Sequence, residues 1–130
     1  MPADAMPEPA LDPALDPAIV AELRHAEREY GNPEFIAQLI ALFRANAPAR
    51  LARIREAVVA RDGSTLGHTA HTLKSNCAML GATKLAQMCA RLEACGDAAA
   101  CEEAAAFLDE ADAELSRVLR ELDELGRGSS

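Results

Sequence analysis

Ala70-His71-Thr72-Leu73-Lys74-Ser75-Asn76-Cys77-Ala78-Met79-Leu80-Gly81-Ala82 is the stretch that decides the fold. At about 100° per residue, Leu66, Ala70, Leu73, Cys77 and Leu80 fall on one stripe of a helix. Such a stripe requires partner helices to cover it. His71 points roughly 140° away from it, toward solvent. Lys74 and Ser75 lie one turn further along, on the histidine's own side.

The flanking sequence supplies the partners. Residues 1–15 are rich in Pro and Ala without helical period and read as a disordered lead-in. Ala-Leu-Asp-Pro occurs at 10–13 and again at 14–17, which is local low complexity rather than a fold repeat. In the second copy Asp16 can cap a helix with Pro17 at its first position. That helix runs to about Glu29 and stops at Gly31.

Asn32 is expected to cap a second helix with Pro33 at its first position. It carries Phe35, Ile36, Leu39, Ile40, Leu42, Phe43, Leu51, Ile54 and Val58 at helical spacing. Pro48 lies inside it and predicts a kink or short break near Ala47. Ser64 is the expected cap of the third helix, which spans about Thr65 to Leu80 and ends at Gly81. A fourth runs from about Thr83 to Cys95. A last helix starts near Ala98, with Cys101, Ala104, Leu108, Ala111, Leu115, Val118, Leu122 and Leu125 in steps of three and four. The tail from Gly126 to residue 130 reads as flexible.

Four main helices joined by short turns predict an all-α protein, an antiparallel up-down four-helix bundle over residues 16–125. The short N-terminal helix would lie across one end. Antiparallel pairing of the second and third helices brings Arg50 and Arg53 near the level of His71.

Composition fits one helical domain. Of 130 residues half are apolar, only Phe35, Phe43, Phe107 and Tyr30 are aromatic, and 26% are charged. The net charge of −8 argues against nucleic-acid binding. The charge is unevenly shared. Residues 33–61 hold five Arg against two Glu, whereas residues 93–125 hold eleven acids against two Arg. Solvated faces with cross-helix ion pairs explain this best.

Cys77, Cys89, Cys95 and Cys101 follow no zinc or redox spacing; Cys77 and Cys89 read as buried free thiols. No segment is long and apolar enough for a membrane span, and the N-terminus is not a secretory signal. A reducing cytoplasm is the simplest location.

The chemistry centres on His71. Neutral imidazole is a competent nucleophile toward an activated phosphoryl group, and its ordinary pKa of ~6.5 keeps a substantial neutral fraction at cell pH. Lys74 would disfavour imidazolium and then offset the charge of a phosphorylated ring. On the helix, the neighbours of His71 are Gly67, His68, Lys74, Ser75 and Ala78. None is a carboxylate, so no base is at hand there to activate water, as a carrier requires. The small residues Gly67, Ser75 and Ala78, with His68 at the rim, form an open patch where a partner's recessed phosphorylation site could dock. His68-x-x-His71 lacks a third ligand, so no metal site is expected. Met79 lies outside the core stripe and suits partner contact and local packing equally.

Ala70-His71-x-Leu73-Lys74, then Ser75-Asn76 and Leu80-Gly81-Ala82, resembles the histidine-containing phosphotransfer (HPt) domain of bacterial multistep phosphorelays. Phe43, Pro48, Leu85, Cys89 and Leu92-Glu93 sit where such domains often have these types. The match covers about residues 17–122. Ser75 stands where Gly is most frequent and Asn76 where Ser is frequent. The added hydroxyl narrows the approach slightly, or donates to the phosphoryl group.

The resemblance implies a four-helix bundle that exchanges a phosphoryl group between His71 and aspartates of response-regulator receiver domains, with Lys74 stabilising phosphohistidine. It implies a hybrid histidine kinase as a further partner, and a monomer. It implies no cofactor of its own, with Mg²⁺ held by the receiver. No Gly-rich nucleotide-binding segment is present, so the chain is read as a carrier that cannot use ATP alone. A non-phosphorylated helical adaptor that binds a signalling protein is the rival reading. Acid-labile, base-stable phosphate on one histidine separates the two.

Overall fold

The computed structural model describes residues 13–128. In these, six helices follow one another: α1 (Pro17–Tyr30), α2 (Phe35–Ala60), α3 (Gly63–Met79), α4 (Thr83–Asp97), α5 (Cys101–Ala105) and α6 (Leu108–Gly128). The long helices α2, α3, α4 and α6 form an antiparallel bundle. In it α3 packs between α2 and α4, and α6 closes the ring against both. The expected all-α bundle with a short N-terminal helix is the observed fold.

The core is aliphatic. Ile54, Leu66, Leu73, Leu85, Leu92 and Leu122 are fully buried. Each contributes about 1.5–3 kcal/mol through removal from water. The stripe read from the third helix is the buried one: Leu66, Ala70, Leu73, Cys77 and Leu80 all lie inside. Cys77 and Cys89 are buried free thiols, as expected. Their mutual bond, then burial, pushes the Cys77 thiol pKa up. Cross-helix ion pairs account for part of the charge asymmetry. On α2, Arg44 pairs with Asp123, and Arg55 with Asp112 and Asp109 of α6.

Several local expectations are corrected. Helix α2 starts at Phe35, not at Pro33. The Asn32 side chain instead accepts from the Glu34 amide in a turn, and Glu27 of α1 accepts from the Ile36 amide. Helix α2 runs unbroken through Pro48. Pro48 is exposed, so the carbonyl it frees can be hydrated. The cap of α3 is Asp62 rather than Ser64: its carboxylate accepts from the Thr65 amide at 3.0 Å and the Thr65 hydroxyl at 2.7 Å. The single last helix is two, because the chain turns at Ala106-Phe107 between α5 and α6.

Described residues near both ends are more ordered than their composition suggests. Residues 1–12 of the expected lead-in lie outside the described residues, but Ala14 and Leu15 are buried. Their amides both donate to the Glu121 carboxylate, at 2.8 and 2.9 Å. The Asp16 amide donates to the Gly81 carbonyl at 2.8 Å. Gly81 has φ +79° and lies against Ile19, where a Cβ would stand 2.8 Å away. These contacts lay α1 across the end of the bundle, over the α3–α4 turn. Residues 126–128 of the expected flexible tail are the last turn of α6.

Candidate functional site

His71 sits near the middle of α3, with its side chain 59% exposed. The helix holds it there because Ala70 and Leu73 on either side are fully buried. Asp62 fixes one end of α3, and the αL glycine Gly81 follows the other.

The decisive neighbour comes from α4. Glu93 Oε2 is 2.9 Å from His71 Nδ1, and Glu93 Oε1 is 2.6 Å from Lys74 Nζ. One carboxylate thus bridges the imidazole and the ammonium. Bonding to Lys74, with a smaller contribution from His71, holds the Glu93 carboxyl pKa below the ordinary range. The carboxylate is therefore ionised at neutral pH and can only accept. In the neutral ring Nδ1 then carries the proton, and Nε2 the lone pair.

This corrects the expectation that no base is at hand near His71. The helix itself supplies none, but the adjacent helix does. Each Glu93 oxygen already has one nitrogen partner. Lys74 likewise does not act on the ring alone, because its charge is answered by Glu93.

The reach of Glu93 follows from how closely α3 and α4 pack. Gly96 of α4 abuts Gly63 and Gly67 of α3; a Cβ on Gly96 would stand 2.5 Å from the Gly67 amide nitrogen. Gly67 is consequently buried, facing Asp97 and the Glu93 carbonyl. It is a packing residue of the α3–α4 seam, not part of an open docking patch. His68, Ser75 and Ala78 do lie exposed around His71. The Ser75 hydroxyl donates to the His71 carbonyl at 3.3 Å, within the helix.

Further along α3, Asn76, Met79 and Leu80 join Leu42, Phe43 and Arg50 of α2 around a shallow apolar cleft. Met79 and Leu42 are 56% and 60% exposed there. Arg50 thus stands beside the later turns of α3, while Arg53 acts on Asp62 toward its start. Among the described residues no three His, Cys, Asp or Glu side chains gather as a metal site would require. None of the described helices is long and apolar enough to cross a membrane.

The Hpt domain model matches residues 38–127, which include all of α3 and α4. The chain belongs to the Hpt domain family. Its fold is also that of histidine-containing phosphotransfer protein B (HptB) from Pseudomonas aeruginosa PAO1. The two superpose with a TM-score of 0.77 at 26% sequence identity, over 88% of this chain and 95% of the other. No curated protein sequence matches the chain. The Hpt match spans the bundle from α2 through α6, so the helices that place His71, Lys74 and Glu93 are those of the family.

Proposed function

We propose that this Hpt domain is a phosphorelay carrier that holds a phosphoryl group on Nε2 of His71 and exchanges it with aspartates of receiver domains. The observation that carries the reading is the exposed His71 ring held at Nδ1 by ionised Glu93, which in the neutral ring leaves Nε2 as the nucleophile. Membership of the Hpt family and the likeness to a histidine-containing phosphotransfer protein support it.

In the loading step the Nε2 lone pair attacks phosphorus and the phosphorus–oxygen bond to the donor aspartate breaks. The electron pair returns to the donor carboxylate. The ring gains positive charge as the new bond forms, and Glu93 stands on its other nitrogen to offset it. Such transfers pass through a loose transition state, so placement and charge carry the catalysis. Unloading is the reverse onto a second aspartate, and it leaves the ring in the tautomer from which it started. The receiver brings Mg²⁺, and the carrier supplies no nucleotide site. Receiver domains and a hybrid histidine kinase are the partners, met by a cytoplasmic monomer across His68, Ser75 and Ala78.

Incubation with a phosphorylated receiver domain labels His71 alone, with acid-labile, base-stable phosphate. His71→Gln abolishes labelling and leaves the helical circular-dichroism signal unchanged. Equal labelling of the variant overturns the assignment.

A further inference from the structure

We propose that Glu93 holds the Nδ1 proton on the phosphorylated His71 ring, and so keeps unloading fast at pH values where the ring would otherwise have lost that proton. The inference rests on the carrier reading, with Nε2 as the phosphorylated atom, and extends it from the empty ring to the loaded one.

Proton balance sets the requirement. Unloading forms a bond from a receiver's carboxylate oxygen to phosphorus and breaks the bond from phosphorus to Nε2. The electron pair of the broken bond returns to Nε2. If Nδ1 carries a proton, neutral imidazole leaves and no proton has to move. If Nδ1 has lost it, the leaving group is an imidazolate anion, and water must first return a proton. Loss of the Nδ1 proton as pH rises therefore slows unloading, and a group that retains it widens the working range.

Glu93 Oε2 stands 2.9 Å from Nδ1. A carboxylate that accepts from a ring N–H favours the charged form of that ring. The phosphorylated ring with its proton is cationic, so the bond is stronger in the loaded site than beside the neutral ring of the empty one. Lys74 works against it. Its ammonium lies 2.6 Å from Glu93 Oε1, draws on the same carboxylate and adds a positive charge near the ring. The other charged or titratable groups face different neighbours. His68 lies one turn back on α3, and Asp97 of α4 stands beside Gly67. On α2, Arg50 lines the cleft at Asn76 and Met79, and Arg53 acts on Asp62. Among the described residues Glu93 is the side chain bonded to the ring. It is a positioning residue, because it acts on the phosphoryl group through the imidazole. Its side chain is 24% exposed and lies outside the buried core, so an amide of the same size fits its place.

The test loads the whole chain with phosphoramidate, a small nitrogen-linked phosphoryl donor, and titrates it. Nitrogen NMR of the phosphorylated His71 ring reads the midpoint at which Nδ1 loses its proton. Glu93→Gln keeps the size and removes the charge, and its midpoint is expected about one pH unit below that of the wild-type chain. Lys74→Ala leaves the carboxylate to the ring alone, and its midpoint is expected above wild type. Transfer from each loaded chain to one receiver domain is then timed against pH. The receiver's own titration cancels in the ratio of wild-type to Glu93→Gln rates. That ratio is expected to climb about tenfold as pH rises through the two midpoints. Equal midpoints, a higher one in Glu93→Gln or a lower one in Lys74→Ala overturns the proposal while leaving the carrier reading intact. A rate ratio that stays level with pH overturns it too, since the Nδ1 proton then does not limit unloading. Absence of label on His71 in every chain, from this donor and from a phosphorylated receiver, overturns both.

Discussion

Gly67 and Gly96 meet backbone to backbone across the α3–α4 interface: a Cβ on Gly96 would stand 2.5 Å from the nitrogen of Gly67 and 2.7 Å from its Cα. The two glycines set the spacing that lets Glu93 reach His71 and Lys74. The seam is asymmetric, because a Cβ on Gly67 would first meet the Asp97 carboxylate, at 3.3 Å.

Opposite results are expected for alanine at the two positions. Gly96→Ala collides with main-chain atoms that cannot turn aside, so α4 must move outward. The strain of such overpacking is about 1–3 kcal/mol, against roughly 1 kcal/mol gained from helix propensity. Gly67→Ala needs only a side-chain adjustment by Asp97, and is expected to be neutral or slightly stabilising. Urea unfolding of both variants measures this. If Gly96→Ala is the more stable, the seam does not control the packing.

Lys74→Ala is expected to fold normally and carry phosphate less well. It removes the ammonium nearest the ring that could answer the phosphoryl charge. The loss in transition-state and product stabilisation is on the order of 1–3 kcal/mol, the range for hydrogen bonds to charged groups. Transfer rate and phosphohistidine lifetime check it; values equal to wild type refute it.

At Ser75 the hydroxyl bonds to the His71 carbonyl, so it serves the helix and not an incoming group. Ser75→Gly is expected to cost less than about 1 kcal/mol of helix stability and to leave transfer near normal. Ser75→Gln places a long side chain one turn from His71, where a receiver must approach. Transfer to it should fall strongly. Unimpeded transfer moves the docking surface off this side of α3, onto His68 and its neighbours.

Asp62 provides a pH prediction. Bonds from the Thr65 hydroxyl and amide hold its carboxyl below the ordinary aspartate range. A carboxyl with a depressed folded-state pKa stabilises the fold above its unfolded value, near ~3.9. That contribution is lost as pH falls from there through the folded value. Fraying at the start of α3 is therefore expected below about pH 4, read by amide exchange at Ser64 and Thr65. Asp62→Ala should lower stability at neutral pH and remove the acid step. An unchanged acid step in the variant assigns it elsewhere.

What the sequence reveals here depends on how far apart the interacting residues are. The α3 stripe, the exposure of His71 and the closeness of Lys74 follow from angles around one helix. The Asp16 cap and the Gly31 stop follow from local chemistry. Glu93 does not, because its place beside His71 depends on the register between two helices. That register is set by glycines whose role emerges only when α4 is laid against α3. Leu92-Glu93 carried a hint through the family resemblance alone. Gly67 shows the complementary difficulty. A glycine at the edge of a polar face suits an open patch or a close helix crossing equally, and periodicity does not distinguish them. Asp62 and Ser64 are both good caps two residues apart, so only the observed Thr65 bonds decide between them.

The histidine stands midway along a continuous helix that is pinned at both ends, and its carboxylate partner rides on a second helix seated against the first. A phosphoryl carrier of this build has no door. Nothing near the ring must open to admit a donor or shut behind it, so no gating motion of the protein delays a transfer. On the proposed carrier reading, the tempo of the relay is then set largely by encounters: by how many loaded receivers reach this face, how long each one stays, and how many empty ones compete for the next visit.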